Sequence, residues 1–468
     1  MKTIYKLFIL LVMVFGVTSC GKDFLDLQPE QSVSDDTFLQ NIDDFQTAIL
    51  GAYDQMQNSD WYGRYFLLVP DVMGEDVKQN ASANRAKEWA EYNGSAVDFI
   101  PREIWAELYE GINIVNKIIN ADFVPPDAVK AEYENILGQA YAIRAIAHFD
   151  LVRVYAQHYT YTADASHPGI PIVLQYDVGS RPARNTVAEV YNQIISDLQQ
   201  AIGLMSIDPP NAGYLSKEAA QAIASRVFLY MERWSDAEAM ATAVINSGRF
   251  TLVDSANYAN QFLVGNSPEA IFEIVYNLAD NPGSDHLGGM YKETGYGDYL
   301  PANDLLNMMD PGDVRSTMFL VDPNLSGIYG SLRVNKYPSA GAEIGTDNLP
   351  VIRLSEVYLN RAEARYRLGD EPGARADVNM IRQRGWPAAP DITASGTALL
   401  TEIQNERRVE LCFEGHSIYD FTRWKKDVVR DDCTSIICTI TYPNDRFILP
   451  IPEEEMNVNP NITQNPDY

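Results

Sequence analysis

Apolar residues recur at steps of three and four along much of the chain, the period that lines one face of a helix. Phe38, Ile42, Phe45, Ile49, Ala52 and Met56 form the first such face, and Ile104, Leu108, Ile112, Val115 and Ile119 form its partner. A second pair runs from Ile136 through Ala140, Ile143, Ala147, Leu151 and Val154, then from Val190 through Ile194, Leu198, Ala201 and Met205. Thr186 and Glu189 stand ahead of that second half as a capping box. The third pair opens after Ser216 with Ala220, Ile223, Val227 and Met231, restarts at Ser235 with Glu238 as another capping box, and stops at Gly248. The fourth runs from Pro350 to Leu368, breaks at Gly369 and Asp370, and resumes through Ala374, Val378 and Ile381 to Arg384.

Short helices alternating with tight turns, Ala at the crossing points and Trp234 or Tyr366 near the turn are similar to tetratricopeptide repeats. The pattern therefore predicts a mainly α fold of about four tetratricopeptide-like helical pairs. Residues 251–349 break it, being rich in Gly, Pro, Asn, Asp and Tyr with little helical period, and the stretch from Gly63 to Gly94 is similar. These predict two large irregular insertions, roughly 60–100 and 251–349, made of loops and short strands, where binding residues usually collect. No flexible linker divides the chain, so residues 20–468 are expected to form a single helical domain.

The amino terminus changes where that domain lives. Lys2 and Lys6 precede a short apolar run, Leu7 to Val17, and Val17, Thr18, Ser19 and Cys20 close it as a bacterial lipoprotein cleavage site does. Residues 1–19 read as a signal peptide and Cys20 as the lipidated first residue of the mature chain. Each buried acyl methylene contributes about 0.8 kcal/mol, so two or three chains anchor a protein stably to a membrane without a spanning helix. Removing Lys2 and Lys6 takes the formal charge from -28 to -30, which argues against a nucleic-acid partner. With Cys20 committed to lipid, Cys412 sits between Leu411 and Phe413 as a buried thiol, and a bridge between Cys433 and Cys438 stays open.

The search for reaction chemistry finds no phosphate loop, zinc-binding cysteine pair, His-Glu-x-x-His or nucleophile elbow, and no calcium loop; the sequence names no metal and no cofactor. Of the five histidines, His158 and His167 bracket a Tyr-rich turn without a carboxylate or thiol at ligand spacing, and read as surface residues. Glu402, Glu406, Glu410 and Glu414 line one helical stripe with Arg407 and Arg408 beside it. Arginines so placed would hold the glutamates ionised, so the stripe reads as a structural ion-pair network rather than a glycosidase pair. Trp105, Trp234 and Trp424 fall within helical patterns and read as core. The aromatics off any stripe are more suggestive: Trp61, Tyr62 and Tyr65 after the first helix, Trp89 and Tyr92 with Asn93 in the first insertion, and Tyr291, Tyr296 and Tyr299 in the second. A ring face stacks the apolar face of a sugar while an amide or guanidinium bonds its hydroxyls, which makes Trp89, Asn93, Tyr296, Trp61, Tyr92, Arg85 and Tyr299 the candidate ligand contacts.

Several motifs resemble one family over nearly the whole length. They are Cys20 with Asp23, Phe24, Leu25 and Asp26; Arg144, His148 and Tyr155; Gly169, Ile170 and Pro171; and Ile352, Arg353, Glu356, Tyr358, Leu359, Ala362, Glu363 and Ala364. Gly369, Asp370, Asn379, Ile381, Arg382 and Arg384 follow, then Glu406, Arg407, Arg408, Glu410, Leu411, Glu414 and Gly415, then Asp420, Arg423 and Trp424. A tail of Pro450, Ile451, Pro452, Glu455, Asn459, Pro460, Gln464, Asn465, Pro466 and Tyr468 completes the set. In these motifs the chain resembles the SusD and RagB surface lipoproteins of Bacteroidetes, departing at His416, Ser417 and Asp467. The resemblance implies a helical fold on four tetratricopeptide-like pairs and an outer-membrane lipoprotein facing the cell exterior. It implies a nutrient-binding role, capturing oligosaccharide, or in some members peptide, for a SusC-like TonB-dependent transporter. Lys22 and Asp23 are similar to part of the family's surface-export signal. The expectation is a binding protein and not an enzyme, with an all-α glycoside hydrolase as the remote alternative.

Overall fold

The computed structural model describes residues 38–265, 267–339 and 343–468. Cys20, Lys22, Asp23 and the predicted signal peptide lie outside the described residues. The four pairs appear where the periodicity places them. Helix α1 (Ile42–Met56) is capped by Asn41 and Asp44 in a reciprocal box and buries Phe45, Ala48, Ile49, Ala52 and Met56. After the wholly buried helix α2 (Tyr65–Met73), α3 (Phe99–Ile119) packs back on α1 through Ile104, Leu108, Ile112 and Val115. Helix α4 (Lys130–Tyr155) then lies between α3 and α5 (Val187–Leu204), and α5 opens on the expected Thr186–Glu189 box. Helices α6 (Lys217–Tyr230) and α7 (Trp234–Asn246) form the third pair, α8 (Leu354–Arg367) and α9 (Glu371–Gly385) the fourth. Helix α10 (Thr397–Leu411) covers α8 and α9, and the short α11 (Ser417–Arg423) turns back onto α2.

Three local expectations need correction. Ser235 lies inside α7, whose first turn has no side-chain cap, and Glu238 instead pairs with Arg365 at 3.0 Å. Residues from Pro350 to Arg353 are not helical: they belong to strand Leu349–Arg353, which pairs antiparallel with strand Ala270–Ile274. That pairing brings the two ends of the second insertion together, with the Leu354 N–H donating to the Glu269 carbonyl, so α8 packs directly on α7 across the insertion. The first insertion is also less irregular than its composition suggests, because α2 is buried on every side, and a helix without a polar face leaves no periodic trace.

Polar side chains tie the pairs together. Arg144 makes a two-pronged pair with Asp197 (2.8 and 2.7 Å) and a third bond to the Asn116 side chain, linking α4 to α5 and α3. One turn on, His148 is fully buried; its Nδ1 lies 3.1 Å from the Arg144 carbonyl and its Nε2 accepts from the Val173 N–H. Burial, with the Arg144 charge added, pushes this imidazole down to about 3. The folded protein therefore refuses a proton that the unfolded chain takes up near the ordinary value, so stability from this group is full above the ordinary histidine range and is lost as pH falls towards 3. At pH 5 the loss is about 2 kcal/mol. In urea denaturation, the stability gap between wild type and His148→Gln should narrow by about that amount between pH 7 and pH 5; an unchanged gap would count against a neutral His148.

The remaining histidines are also structural. His158 and His167 are half-buried rather than on the surface: His158 Nε2 meets the Tyr442 hydroxyl at 2.7 Å, and His167 Nε2 lies 3.0 Å from the Gln157 carbonyl. Cys433 and Cys438 are bridged, while Cys412 is buried and its thiol pushed up to about 12.

Candidate ligand-binding surface

The two insertions meet. Strand Val77–Gln79 pairs antiparallel with strand Tyr299–Pro301, the Asn80 N–H donates to the Asp298 carbonyl, and the Leu287 N–H donates to Gly63. Loop residues 218 to 224 positions apart in sequence are thereby placed side by side.

Most of the candidate rings turn inward where the insertions join. Trp61 has no exposed surface, donates its indole N–H to Asp150 at 2.9 Å and lies over Tyr62. Trp89 is buried against Gly94, so close that a Cβ there would fall 2.5 Å from the indole. Tyr92 is buried with its hydroxyl donating to the Met73 carbonyl, and the fully buried Tyr299 donates to the Arg85 carbonyl at 2.7 Å. As ligand contacts these four are corrected: the insertions pack onto the helices as part of one continuous core, and the flat rings help to fill it. Asn93 is exposed, with its amide 3.5 Å from Glu91.

Arg85 and Tyr296 remain, and they are in contact. The guanidinium carbon of Arg85 lies 3.2 Å from the centre of the half-exposed Tyr296 ring. Arg85 is held from below by the buried carboxylate of Asp298 at 3.2 Å and from the side by Asn84. The Tyr296 hydroxyl donates to Asp285 at 2.9 Å, and Asp285 also pairs with Arg64. Arg64 in turn covers the Tyr65 ring at 4.1 Å, Tyr65 meets Phe99 edge-on at 6.2 Å, and Phe99 is 48% exposed with Arg102 over it. The result is a strip of side chains in contact, from Arg102 through Phe99, Tyr65 and Arg64 to Asp285, Tyr296 and Arg85, buried in the middle at Tyr65 and Arg64 and open at its two ends. Burial raises the Tyr65 phenol, an effect eased by Arg64, and pushes the Asp60 carboxyl behind Arg64 up to about 6. Arg64, Asp285, Phe99 and Arg102 were missed in the sequence; the Arg64–Tyr65 neighbourhood in a polar turn was the available sign.

The glutamate stripe, in contrast, is sealed. Glu406, Glu410 and Glu414 are buried, Glu414 just past the end of α10. Their partners are Arg315, Arg353, Arg384 and Lys336, not the adjacent arginines: Arg407 pairs with Asp420 at 2.6 Å, and Arg408 reaches Asp76 at 2.7 Å. Three guanidiniums around Glu410 hold its carboxyl far below the usual range despite burial. Among the described residues no group of His, Cys, Asp and Glu is arranged to hold a metal ion.

Comparison with known proteins agrees with this architecture. The SusD family profile matches residues 327–468, and a second profile, described as starch-binding associating with outer membrane, matches residues 23–229. A Bacteroides vulgatus structure described as a candidate sugar-binding protein is 33% identical, with a TM-score of 0.85, covering 92% of this chain and 100% of that one. The chain belongs to the SusD family. A SusD superfamily structure from Bacteroides thetaiotaomicron is 29% identical over 91% of this chain and 100% of its own, with a TM-score of 0.82. SusD-like protein P25 of Formosa agariphila is 24% identical, matching 99% of this chain and 98% of that protein. As in SusD superfamily structures, the fold is mainly α with helices in tetratricopeptide-like pairs. The motif residues of this SusD-family chain are mostly scaffold: Arg423 joins Asp420 to Glu363, and Asn465 binds the carbonyls of Tyr155 and Leu449.

Proposed function

We propose that this SusD-family protein is a cell-surface lipoprotein that captures an oligosaccharide on the Arg85–Tyr296 surface and passes it to a SusC-like TonB-dependent transporter. The observation that carries the reading is the Arg85–Tyr296 stack itself: a half-exposed ring and a flat guanidinium share one surface, beside the carboxylate of Asp285 and the amide of Asn84. Such a surface takes the apolar face of a sugar on its planes and bonds hydroxyls at its edges. The family's carbohydrate-binding character supports the ligand class, and the description of the second profile supports the outer membrane. The lipid anchor at Cys20 rests on the cleavage pattern alone. Hydrolysis finds no support in the glutamate stripe, whose inward carboxylates are committed to buried ion pairs.

The test is binding to a glycan array followed by titration of the best glycan. Tyr296→Ala and Arg85→Ala should each weaken binding about tenfold or more, the range of a central interface residue, and Tyr296→Ala should do so while leaving the urea midpoint within error. Binding of a peptide pool in place of every glycan would assign the surface to peptides, and unaltered glycan affinity in both variants would remove it from the binding site.

A further inference from the structure

Across Arg102 from the ring strip, the outer side of α3 opens into a groove of about 460 Å³ between the 171–182 loop and residues 452–458. Trp105, Tyr109 and Asn113, one helical turn apart, form one wall; the two rings are 4.8 Å apart and tilted by 52°. Pro171, Pro182 and Pro452 line the rest. The charged lining residues are Arg102 against Asp177, Glu454 and Glu455. Arg102 is already spent on Glu103 at 2.6 Å and on Glu454 at 3.4 Å. Arg181, exposed beside the groove, and Arg184 have their donors on main-chain carbonyls, including those of Val458 and Gly169. Aliphatic side chains crowd the margin without covering it: Val178 is 79% and Val458 59% exposed.

We infer that this groove docks an extended, proline-containing, basic segment of a partner protein. Three prolines in the lining offer no N–H, which disfavours pairing by strand addition there. Trp105 is almost wholly buried and in contact with Tyr109, so the pair presents one apolar patch on which the rings of a polyproline-II segment can pack, and that conformation, with no internal hydrogen bonds, leaves its carbonyls free to accept. Asn113, half-buried on that wall, carries a side-chain amide that can supply such a donor. The excess of carboxylates at the rim selects arginine or lysine flanking the prolines, and Val178 and Val458 extend the apolar contact at the margin. The groove shares only Arg102 with the ring strip, so the inference stands whether or not that strip binds glycan.

The test uses the full mature chain and a fluorescein-labelled peptide, Arg-Pro-Pro-Leu-Pro-Pro-Leu-Arg, followed by anisotropy. Saturable binding tighter than about 1 mM is expected, weakening with added salt. The double variant Glu454→Lys/Glu455→Lys, at positions on the rim, should weaken it at least tenfold, and the same peptide with Glu in place of Arg should fail to bind. Val458→Asp should also weaken it while the circular dichroism and urea midpoint stay those of wild type. No saturation up to about 1 mM, equal affinity for the charge-reversed protein, or displacement of the peptide by maltoheptaose would overturn the assignment, the last making the groove a glycan site.

Discussion

Glu410→Ala is expected to lower the unfolding free energy by about 3–5 kcal/mol, the range for removing one partner from a buried ion pair. Glu410 has no exposed surface and accepts from Arg353 and Arg384 through one oxygen and from Arg315, at 3.2 Å, through the other. Glu269 shares Arg353 at 2.8 Å and Arg384 at 2.7 Å, and Asp313 and Glu406 share Arg315, so no guanidinium is stranded completely. Removing the central carboxylate nevertheless leaves three cations clustered in a medium that screens them poorly. These arginines stand ahead of α8, at the end of α9 and in the second insertion, so the loss is felt where the fourth pair, α10 and the insertion meet. Glu402→Ala is the control: it lies at the exposed end of the same stripe, 3.5 Å from Arg382, and should change stability by less than about 0.5 kcal/mol. Urea denaturation of both variants gives the comparison, and a Glu410→Ala cost under about 1 kcal/mol would show that the cluster relaxes without its centre.

The same cluster shows what could be read before the structure. That the glutamates were structural was legible from carboxylates and arginines sharing one helical stretch, although the neighbouring Arg407 and Arg408 pair elsewhere, with Asp420 and Asp76. The glutamates' own partners were not, because Arg315, Arg353 and Arg384 reach Glu410 from elements 26 to 95 positions away. Helical pairs were legible for the opposite reason: a half-buried helix must repeat its apolar face every turn or so, and Phe45, Ile49, Ala52 and Met56 do. Helix α2 escaped because Tyr65 to Met73 is buried all round, and the strand at Leu349–Arg353 escaped because five buried residues carry no alternation. In the insertions, composition located the loops that converge, yet it could not separate rings that line a surface from rings that fill it. Arg85 and Tyr296 stayed at the surface through a contact between the two insertions that no spacing encodes.

Trp61 turns that ambiguity into a measurement. Its ring is sealed between the turn after α1 and the α3 and α4 helices, with Gly111 of α3 so close that a Cβ there would fall 2.7 Å from the indole. Truncation to Ala removes the largest side chain from this junction and should cost about 3–5 kcal/mol, the range for deleting a buried aromatic. It also removes a donor from Asp150, a carboxylate that burial pushes up and that Arg153 and the Trp61 indole hold down. Trp61→Phe separates the two contributions: most of the apolar volume stays, the donor goes, and the expected cost falls to about 1–3 kcal/mol. A residue with no exposed face cannot stack a ligand, so Trp61→Phe, studied well below its unfolding midpoint, should bind glycan as wild type does, whereas Tyr296→Ala should not. A Trp61→Phe protein of near-native stability that has lost its glycan would reverse the assignment, placing the ring in the binding site through a rearrangement of the turn after α1.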